Sequence, residues 1–338
     1  MVQQKKVVDE VSGWLRLFAD GSVDRTWTGP PEVKFMTEPV PPHHEFIDGV
    51  ATKDMVIDET SRLRVRIYLP DRKPDDYDSN LKLPIILHFH GGGFCISQAD
   101  WYMYYHMYTN LARAANAICV SVFLRLSPEH RLPVPINDGF SALLWLRSLA
   151  RAESYEPWLH DRADFNRVFL LGDSTGGNVV HEVAARAGKL DLSPMKLSGG
   201  ILIHPGFVRS TRSRSELEQP QSPMLTLDMV DKFLSFALPV GSTKDHPITC
   251  PMGSGAPRMD SLNLPPFLVC VAEKDIMVDT EMEYYEAMKK ANKDVELLIS
   301  PGMCHSFYLN KIAVDMDPQT GAQTESLISS IKEFIKRH

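Results

Sequence analysis

Short apolar runs alternate with longer stretches of helical periodicity from about residue 53 onward. Several runs are almost continuously apolar, among them Ile85-Ile86-Leu87 and Val168-Phe169-Leu170-Leu171. Strands of a parallel sheet have this composition, because helices cover both of their faces. The pattern predicts eight strands, which span residues 54–58, 63–68, 84–89, 118–123, 168–171, 200–204, 267–271 and 295–299.

The first two predicted strands are of a different kind. Residues 63–68 alternate polar and apolar side chains, and a short loop, 58–62, joins them to the strand before. This pattern is typical of an antiparallel hairpin at the edge of a sheet. The alternation of strands and helices predicts an α/β fold, with a mostly parallel eight-stranded sheet and helices on both faces. The predicted helices span residues 138–150, 177–187, 227–237, 281–291 and 324–337.

Two segments do not follow this alternation. Residues 1–49 contain an amphipathic stretch and then a proline-rich one, and residues 206–255 are rich in Ser, Pro and Met. Both can be surface decoration, but insertions in open α/β folds often cover the ligand crevice at the strand ends. We therefore predict a single domain over residues 1–338, with a core of about 50–205 and 256–338 and a cap made from the two segments.

Charge and cysteine content narrow the possible functions. The formal net charge is −7 and no dense cluster of Lys and Arg is present, which argues against a nucleic-acid-binding protein. No stretch has the roughly 20 apolar residues that a membrane span needs, and residues 1–25 lack the apolar core of a secretory signal. The five cysteines have no CxxC spacing, which predicts reduced thiols in a cytoplasmic protein rather than disulfides or a zinc site.

A G-x-S-x-G pentapeptide, Gly172-Asp173-Ser174-Thr175-Gly176, lies between a predicted strand and a predicted helix. A serine nucleophile needs such a tight turn, which lifts its hydroxyl clear of the sheet. The glycines let strand and helix pass closely, and the helix N-terminus favours developing negative charge. Five-residue patterns also arise by chance, but this one has the required context. We therefore predict that Ser174 is the nucleophile.

Three consecutive glycines follow the predicted strand 84–89 in the run His90-Gly91-Gly92-Gly93. They can form a flexible turn or a phosphate-binding loop, but neither a P-loop lysine nor a GxGxxG helix start follows them. An oxyanion that forms during attack on an ester needs backbone N–H donors close by, and side chains would block that approach. Gly92 and Gly93 are therefore predicted as oxyanion-hole donors, together with the backbone N–H of Thr175.

A serine nucleophile needs a histidine base and an acid that orients it, and after such a turn they follow in the order acid, histidine. Three acids follow the predicted strand 267–271, namely Glu273, Asp275 and Asp279. Asp279 is better explained as a helix cap, and Glu273 is so close to the strand end that a surface role is favoured, which leaves Asp275. His305 lies in the loop after the last predicted strand and is predicted as the base.

With these residues the chain resembles the hormone-sensitive-lipase-like group of α/β-hydrolases and, within it, the plant carboxylesterases. The run at 172–178 is similar to the family's GDSAGGN, the run at 124–133 to its YRLAPEH block, and the run at 272–279 to its DxLxD acid segment. The resemblance covers nearly the whole chain. It implies the α/β-hydrolase fold, a catalytic acid at Asp275, and a helical cap formed by N-terminal helices and by an insertion after the sixth core strand.

One departure from the family pattern lies beside the nucleophile. Thr175 replaces the usual alanine, and its side chain can narrow the oxyanion hole. The same family includes gibberellin receptors, which lack the catalytic histidine, and hydroxyisoflavanone dehydratases, in which a threonine can take the nucleophile position. The presence of His305 and Ser174 favours a hydrolase over both alternatives.

The sequence thus predicts a carboxylesterase that hydrolyses small carboxylic esters, with short acyl groups or of xenobiotic origin. Ser174 would attack the ester carbonyl, His305 would take its proton, and Asp275 would hold the imidazole. A small-molecule ester is the expected partner, and organophosphates are expected to label Ser174. No cofactor and no metal are implied.

Overall fold

A computed structural model describes residues 5–71, 81–222 and 224–338. Within these residues the first three strands form a small antiparallel sheet, and the other eight form one large sheet. The eleven strands are β1 (Val7–Val11), β2 (Leu15–Phe18), β3 (Val23–Asp24), β4 (Val50–Asp58), β5 (Leu63–Pro70), β6 (Leu83–Phe89), β7 (Ile118–Phe123), β8 (Ala163–Asp173), β9 (Leu197–Ile203), β10 (Phe267–Ala272) and β11 (Val295–Ser300).

The large sheet has the strand order β11-β10-β9-β8-β6-β7-β5-β4. Strand β5 pairs antiparallel with β4 and β7, and the other neighbours pair in parallel. The predicted edge hairpin, the mostly parallel sheet and all eight predicted strands are therefore confirmed. Strand β8 starts before the predicted apolar run, at Ala163, which pairs with Leu83 of β6.

The parallel strands place the ends of β6, β8, β9 and β10 side by side. Residues that follow these strands therefore meet at one edge of the sheet, which is where ligands bind in open α/β folds. The glycine triplet follows β6, Ser174 follows β8 and Asp275 follows β10. The strand order alone thus explains why predicted site residues that are far apart in sequence lie close together.

The helices cover the sheet in layers. Helix α1 packs against α9, and α2 packs against α4. All five predicted helices are present, whereas α1, α3, α5 and α8 were not predicted. No helix among the described residues is long and apolar enough to cross a lipid bilayer. The helices are α1 (Tyr102–Ala115), α2 (Val134–Ala150), α3 (Pro157–Arg162), α4 (Thr175–Ala187), α5 (Arg214–Glu218), α6 (Leu227–Ala237), α7 (Val278–Lys290), α8 (Lys311–Met316) and α9 (Pro318–Arg337).

The first part of the N-terminal segment forms strands, where the family resemblance implied helices. Strands β1, β2 and β3 occupy its first part, and Val11 pairs with Leu15 across a turn that contains Gly13. The β-branched valines of β1 favour an extended chain, and Gly13 has the positive φ of +80° that glycine adopts without strain. Helical structure in the two segments expected to form the cap comprises a 3₁₀ helix at Pro31–Thr37 and helices α5 and α6. The division of the chain into core and cap stays a prediction.

Candidate active site

Ser174 lies in a strained turn between the end of β8 and the start of α4. Its backbone has φ 50° and ψ −124°, a conformation that costs free energy in a residue with a side chain. Close packing enforces the turn, since a Cβ atom at Gly176 would lie 2.0 Å from the Phe89 carbonyl oxygen. This geometry is typical of a nucleophile that is held above a sheet.

The glycine triplet forms a loop beside this turn. Gly92 and Gly93 have φ values of +97° and +62°, which glycine adopts readily. A Cβ atom at Gly92 would lie 2.5 Å from the Ile96 carbonyl oxygen, and one at Gly93 would lie 2.4 Å from the Phe233 ring. Both glycines line the cavity that contains Ser174, so their backbones can approach a reacting group in a way that residues with side chains could not.

A buried hydrogen-bond network joins the glycine loop to the nucleophile turn. Asp173 accepts from Gly91 N–H at 3.2 Å and from the Tyr104 hydroxyl at 3.1 Å. It also accepts from His88 Nε2 at 3.1 Å, and the other ring nitrogen of His88 lies 2.7 Å from Ser121 Oγ. Burial lowers the pKa of His88 and keeps its ring neutral. None of these roles was predicted, although a histidine in an otherwise apolar strand is a signal for a buried network.

The side chain of Thr175 makes a hydrogen bond of its own, in addition to the role predicted for its backbone N–H. Its Oγ1 accepts a hydrogen bond of 3.2 Å from the backbone N–H of Phe94. Phe94 follows the glycine triplet directly and has a positive φ of 62°, so this bond holds a strained part of the loop. The side chain that departs from the family pattern thus ties the start of α4 to the glycine loop.

We expect Thr175→Val, which keeps the shape of the side chain but removes its hydroxyl, to lower both stability and turnover. Phe94 N–H would be buried without an acceptor, which costs about 1–3 kcal/mol of unfolding free energy. A loosened glycine loop would lower kcat by about tenfold, a fraction of what losing a donor costs. Thr175→Ser keeps the acceptor and is the control. Chemical denaturation and ester hydrolysis measure the effects, and equal behaviour of the two variants would contradict this role.

Asp275 and His305 are hydrogen-bonded to each other. His305 Nδ1–H donates to Asp275 Oδ2 at 2.5 Å, and Met277 N–H donates to Asp275 Oδ1 at 2.9 Å. Burial alone would raise the pKa of the Asp275 carboxyl, but the charge and hydrogen bond of His305 outweigh burial, and this pKa lies below its usual value. Since Nδ1 of His305 is engaged, Nε2 is the ring nitrogen left for the cavity, which His305 lines together with Ser174.

The other two candidates for the catalytic acid have hydrogen-bond partners other than His305. Glu273 Oε2 accepts a hydrogen bond of 2.6 Å from Gly302 N–H. Asp279 Oδ2 accepts one of 2.7 Å from Ser215 N–H, so Asp279 joins α7 to α5 instead of capping its own helix. Of the three candidate acids, Asp275 is thus the one that is paired with His305.

His204 adds a second imidazole beside this pair, which makes the three side chains a possible metal site. Possible ligand atoms of His204, Asp275 and His305 lie within 4.8 Å of one another. However, His305 Nδ1 already bonds to Asp275, and His204 Nδ1 accepts a hydrogen bond of 3.0 Å from Ser306 N–H. Burial lowers the pKa of His204 to about 3 and keeps it neutral. Because Nδ1 of the neutral His204 ring accepts that bond, Nε2 carries the ring proton; it has no hydrogen-bond partner among the described residues and no free lone pair for a metal ion. We therefore assign the cluster no metal.

One cavity of about 80 Å³ brings the predicted residues together. Ser174, His305, Gly92, Gly93 and Thr175 line it, and Asp275 lies buried behind His305. An apolar part of the remaining wall comes from helix α6, from the segment before it and from the N-terminal segment. These residues are Trp14, Met224, Leu225, Met229, Val230, Phe233 and Leu234.

Comparisons with known proteins show which family and which fold the chain is similar to. A family model described as the alpha/beta hydrolase fold matches residues 86–309. The chain is similar to probable carboxylesterase 6 of Arabidopsis thaliana, with 35% identity over 90% of this chain and 85% of that protein. It is also similar to 2-hydroxyisoflavanone dehydratase of Glycyrrhiza echinata, with 34% identity over 98% of this chain and 97% of that protein. Among solved structures, an esterase of Pyrobaculum calidifontis has the same fold, with a TM-score of 0.68 and 24% identity over 89% of this chain and 88% of that one.

Proposed function

Because this chain belongs to the plant carboxylesterase family of α/β-hydrolases, we propose that it hydrolyses small carboxylic esters through Ser174. The observation that carries this proposal is the His305–Asp275 hydrogen bond at the wall of the cavity into which Ser174 opens. A histidine that is held by a buried carboxylate beside a serine is the arrangement that makes a serine hydroxyl nucleophilic.

In the proposed mechanism, His305 Nε2 takes the proton of Ser174 as its Oγ attacks the ester carbonyl carbon. The backbone N–H groups of Gly92, Gly93 and Thr175 stabilise the oxyanion of the tetrahedral intermediate. The intermediate collapses, the alcohol leaves with the proton from His305, and the acyl group stays on Ser174. His305 then deprotonates a water molecule that attacks the acyl-enzyme, and the released acid leaves Ser174 with its proton restored.

The cavity favours short acyl groups. Its volume of about 80 Å³ is small beside the roughly 300–1,000 Å³ of pockets that hold drug-sized ligands. The thioether and aliphatic side chains of Met224, Met229 and Val230 offer an apolar wall rather than charged partners. We propose that the substrates are esters of short carboxylic acids, including xenobiotic ones, with no cofactor involved.

A dehydratase is the second candidate, because the relative with that name covers nearly the whole chain. Elimination of water needs a base but no acyl group on the serine. A covalent intermediate on Ser174 therefore separates the two functions. A hormone receptor is less well supported, since the hydrogen-bonded His305 and Asp275 would have no task in a site that only binds.

We expect the protein to hydrolyse p-nitrophenyl acetate and butyrate, and a fluorophosphonate to abolish this activity at one equivalent per chain. Ser174 should carry the adduct because its hydroxyl is the one activated by His305. Peptide mass spectrometry locates the adduct while residual activity is followed. Full activity in labelled protein, or an adduct at another residue, would contradict the proposal. Dehydration of a 2-hydroxyisoflavanone by protein in which the fluorophosphonate does not label Ser174 would favour the dehydratase.

A further inference from the structure

Glu281 is a fully buried carboxyl that the proposed mechanism does not use. It lies in the first turn of α7, and its side chain has no accessible surface. Neither of its carboxyl oxygens receives a hydrogen bond from any donor among the described residues. Buried glutamates are normally paired, so an unpaired one calls for an explanation. The carboxyl of Asp275 lies within hydrogen-bonding reach of the Glu281 carboxyl.

Ionising two adjacent buried carboxyls costs a large free energy, because both charges lose water and repel each other. Asp275 is committed to the charged form, because His305 Nδ1–H and Met277 N–H both donate to it. The proton must therefore be on Glu281. Burial, and then the negative charge of Asp275, raise the pKa of the Glu281 carboxyl well above its usual value. A protonated Glu281 has an O–H group to donate, and Asp275 is the acceptor that it faces.

The other titratable groups nearby do not offer a positive charge that would ionise Glu281. Burial keeps His204, on the Asp275 side, neutral, with a pKa of about 3. Burial raises the pKa values of the Cys270 and Cys304 thiols and keeps them protonated. The N-terminus of α7 does favour an anion, but that effect is small beside the cost of burying an unpaired carboxylate. Burial and the negative charge of Asp275 together therefore favour a neutral Glu281.

We propose that Glu281 is a positioning residue of the hydrolase, a neutral carboxylic acid whose O–H donates a hydrogen bond to Asp275 and so fixes the carboxylate that orients His305. The inference rests on the proposed function. It adds Glu281 as one buried residue behind the proposed triad of Ser174, His305 and Asp275. The Glu281 proton stays on Glu281 throughout the reaction. Its task is to hold Asp275 in place while His305 gains and loses the serine proton.

The test compares Glu281→Gln, which keeps a neutral donor, with Glu281→Met, which removes it. Glu281→Gln should retain kcat within a few-fold, whereas Glu281→Met should lower kcat by about 10- to 100-fold with little change in KM, as expected for a supporting residue that acts through another group. The acid limb of the kcat/KM profile should stay unchanged in Glu281→Gln, because one neutral group replaces another. In Glu281→Met it should move to higher pH, since Asp275 then interacts more strongly with protonated His305.

Glu156→Gln is the matched control, because Glu156 is also buried but lies in an ion pair with Lys53 outside the cavity. It should alter stability without moving the acid limb. An acid limb that moves to lower pH in Glu281→Gln would show that Glu281 is charged and would overturn the inference. So would equal pH profiles in Glu281→Met and wild type. If wild type neither turns over esters nor reacts with a fluorophosphonate, the proposed function itself has failed, which is a different result.

Discussion

Replacing Ser174 with alanine should lower kcat for a short p-nitrophenyl ester by about 10⁵- to 10⁶-fold, the range that loss of a serine nucleophile produces in hydrolases of this type. The variant should keep a residual rate above that in water, because the backbone donors of Gly92, Gly93 and Thr175 remain. The unfolding free energy should change by no more than about 1 kcal/mol, since alanine at φ 50° is no more strained than serine. Steady-state kinetics and chemical denaturation check both statements.

Ser198→Ala is a suitable control, because Ser198 is a buried strand serine whose hydroxyl bonds to the Asn166 carbonyl rather than lining the cavity. It should retain wild-type kcat within a few-fold. Residual activity of Ser174→Ala above about one per cent of wild type would exceed what the donors alone supply. Such a result would mean that water or another side chain attacks the ester directly. The acyl-enzyme mechanism through Ser174 would then be wrong.

Local patterns predicted most of the fold. The apolar runs at Ile85-Ile86-Leu87 and 168–171 are the centres of β6 and β8, and strands of this kind are recognisable because helices cover both of their faces. Helix α1 was missed even though Met103, Tyr104, Met107 and Tyr108 form a buried stripe with helical spacing. Tyrosines have no strong helix preference, so tertiary packing rather than propensity selects the helix there.

The N-terminal segment shows where a pattern is ambiguous. The apolar residues of this segment have a spacing that fits one face of a helix, at Val7, Val8, Val11, Trp14 and Leu15. In the structure they form β1, the turn and β2. Glycine at position 13 and the run of valines favour the hairpin over the N-terminal helices that the family resemblance implied. Long-range contacts decide such cases, for example the hydrogen bond from Lys232 Nζ of α6 to the Glu10 carbonyl oxygen.

The site residues could be predicted because each has a fixed place relative to a strand end. Ser174 and the glycine triplet have local motifs, and Asp275 and His305 follow from chain order. The supporting residues have no such rule. His88 and Tyr104 reach Asp173 from two different elements, and Ser121 on a third element bonds to the other ring nitrogen of His88. The proposed role of Glu281 likewise depends on its closeness to Asp275 inside the packed structure. Sequence spacing carries no information about contacts of that kind.

Asp275→Asn should lower kcat by about 10⁴-fold while the fold is kept. In wild type, His305 Nδ1–H donates to the carboxylate at 2.5 Å, which fixes the tautomer that leaves Nε2 free to accept the serine proton. An asparagine amide that presents its N–H₂ group to Nδ1 would favour the opposite tautomer, in which Nε2 carries the proton and cannot act as a base. Single-turnover acylation by a p-nitrophenyl ester measures the loss directly.

The pH dependence of the unfolding free energy tests the same substitution independently. Because the pKa of Asp275 is lower in the folded protein than its usual value, the ionised carboxylate stabilises the fold above that usual pKa, and this stabilisation is lost as the pH falls through the lowered value. Asp275→Asn removes the titrating group, so its unfolding free energy should fall less than that of wild type when the pH is lowered across this interval. If the two proteins lose stability in parallel, Asp275 is not held as an anion by His305. The tautomer explanation for the lost activity would then be wrong as well.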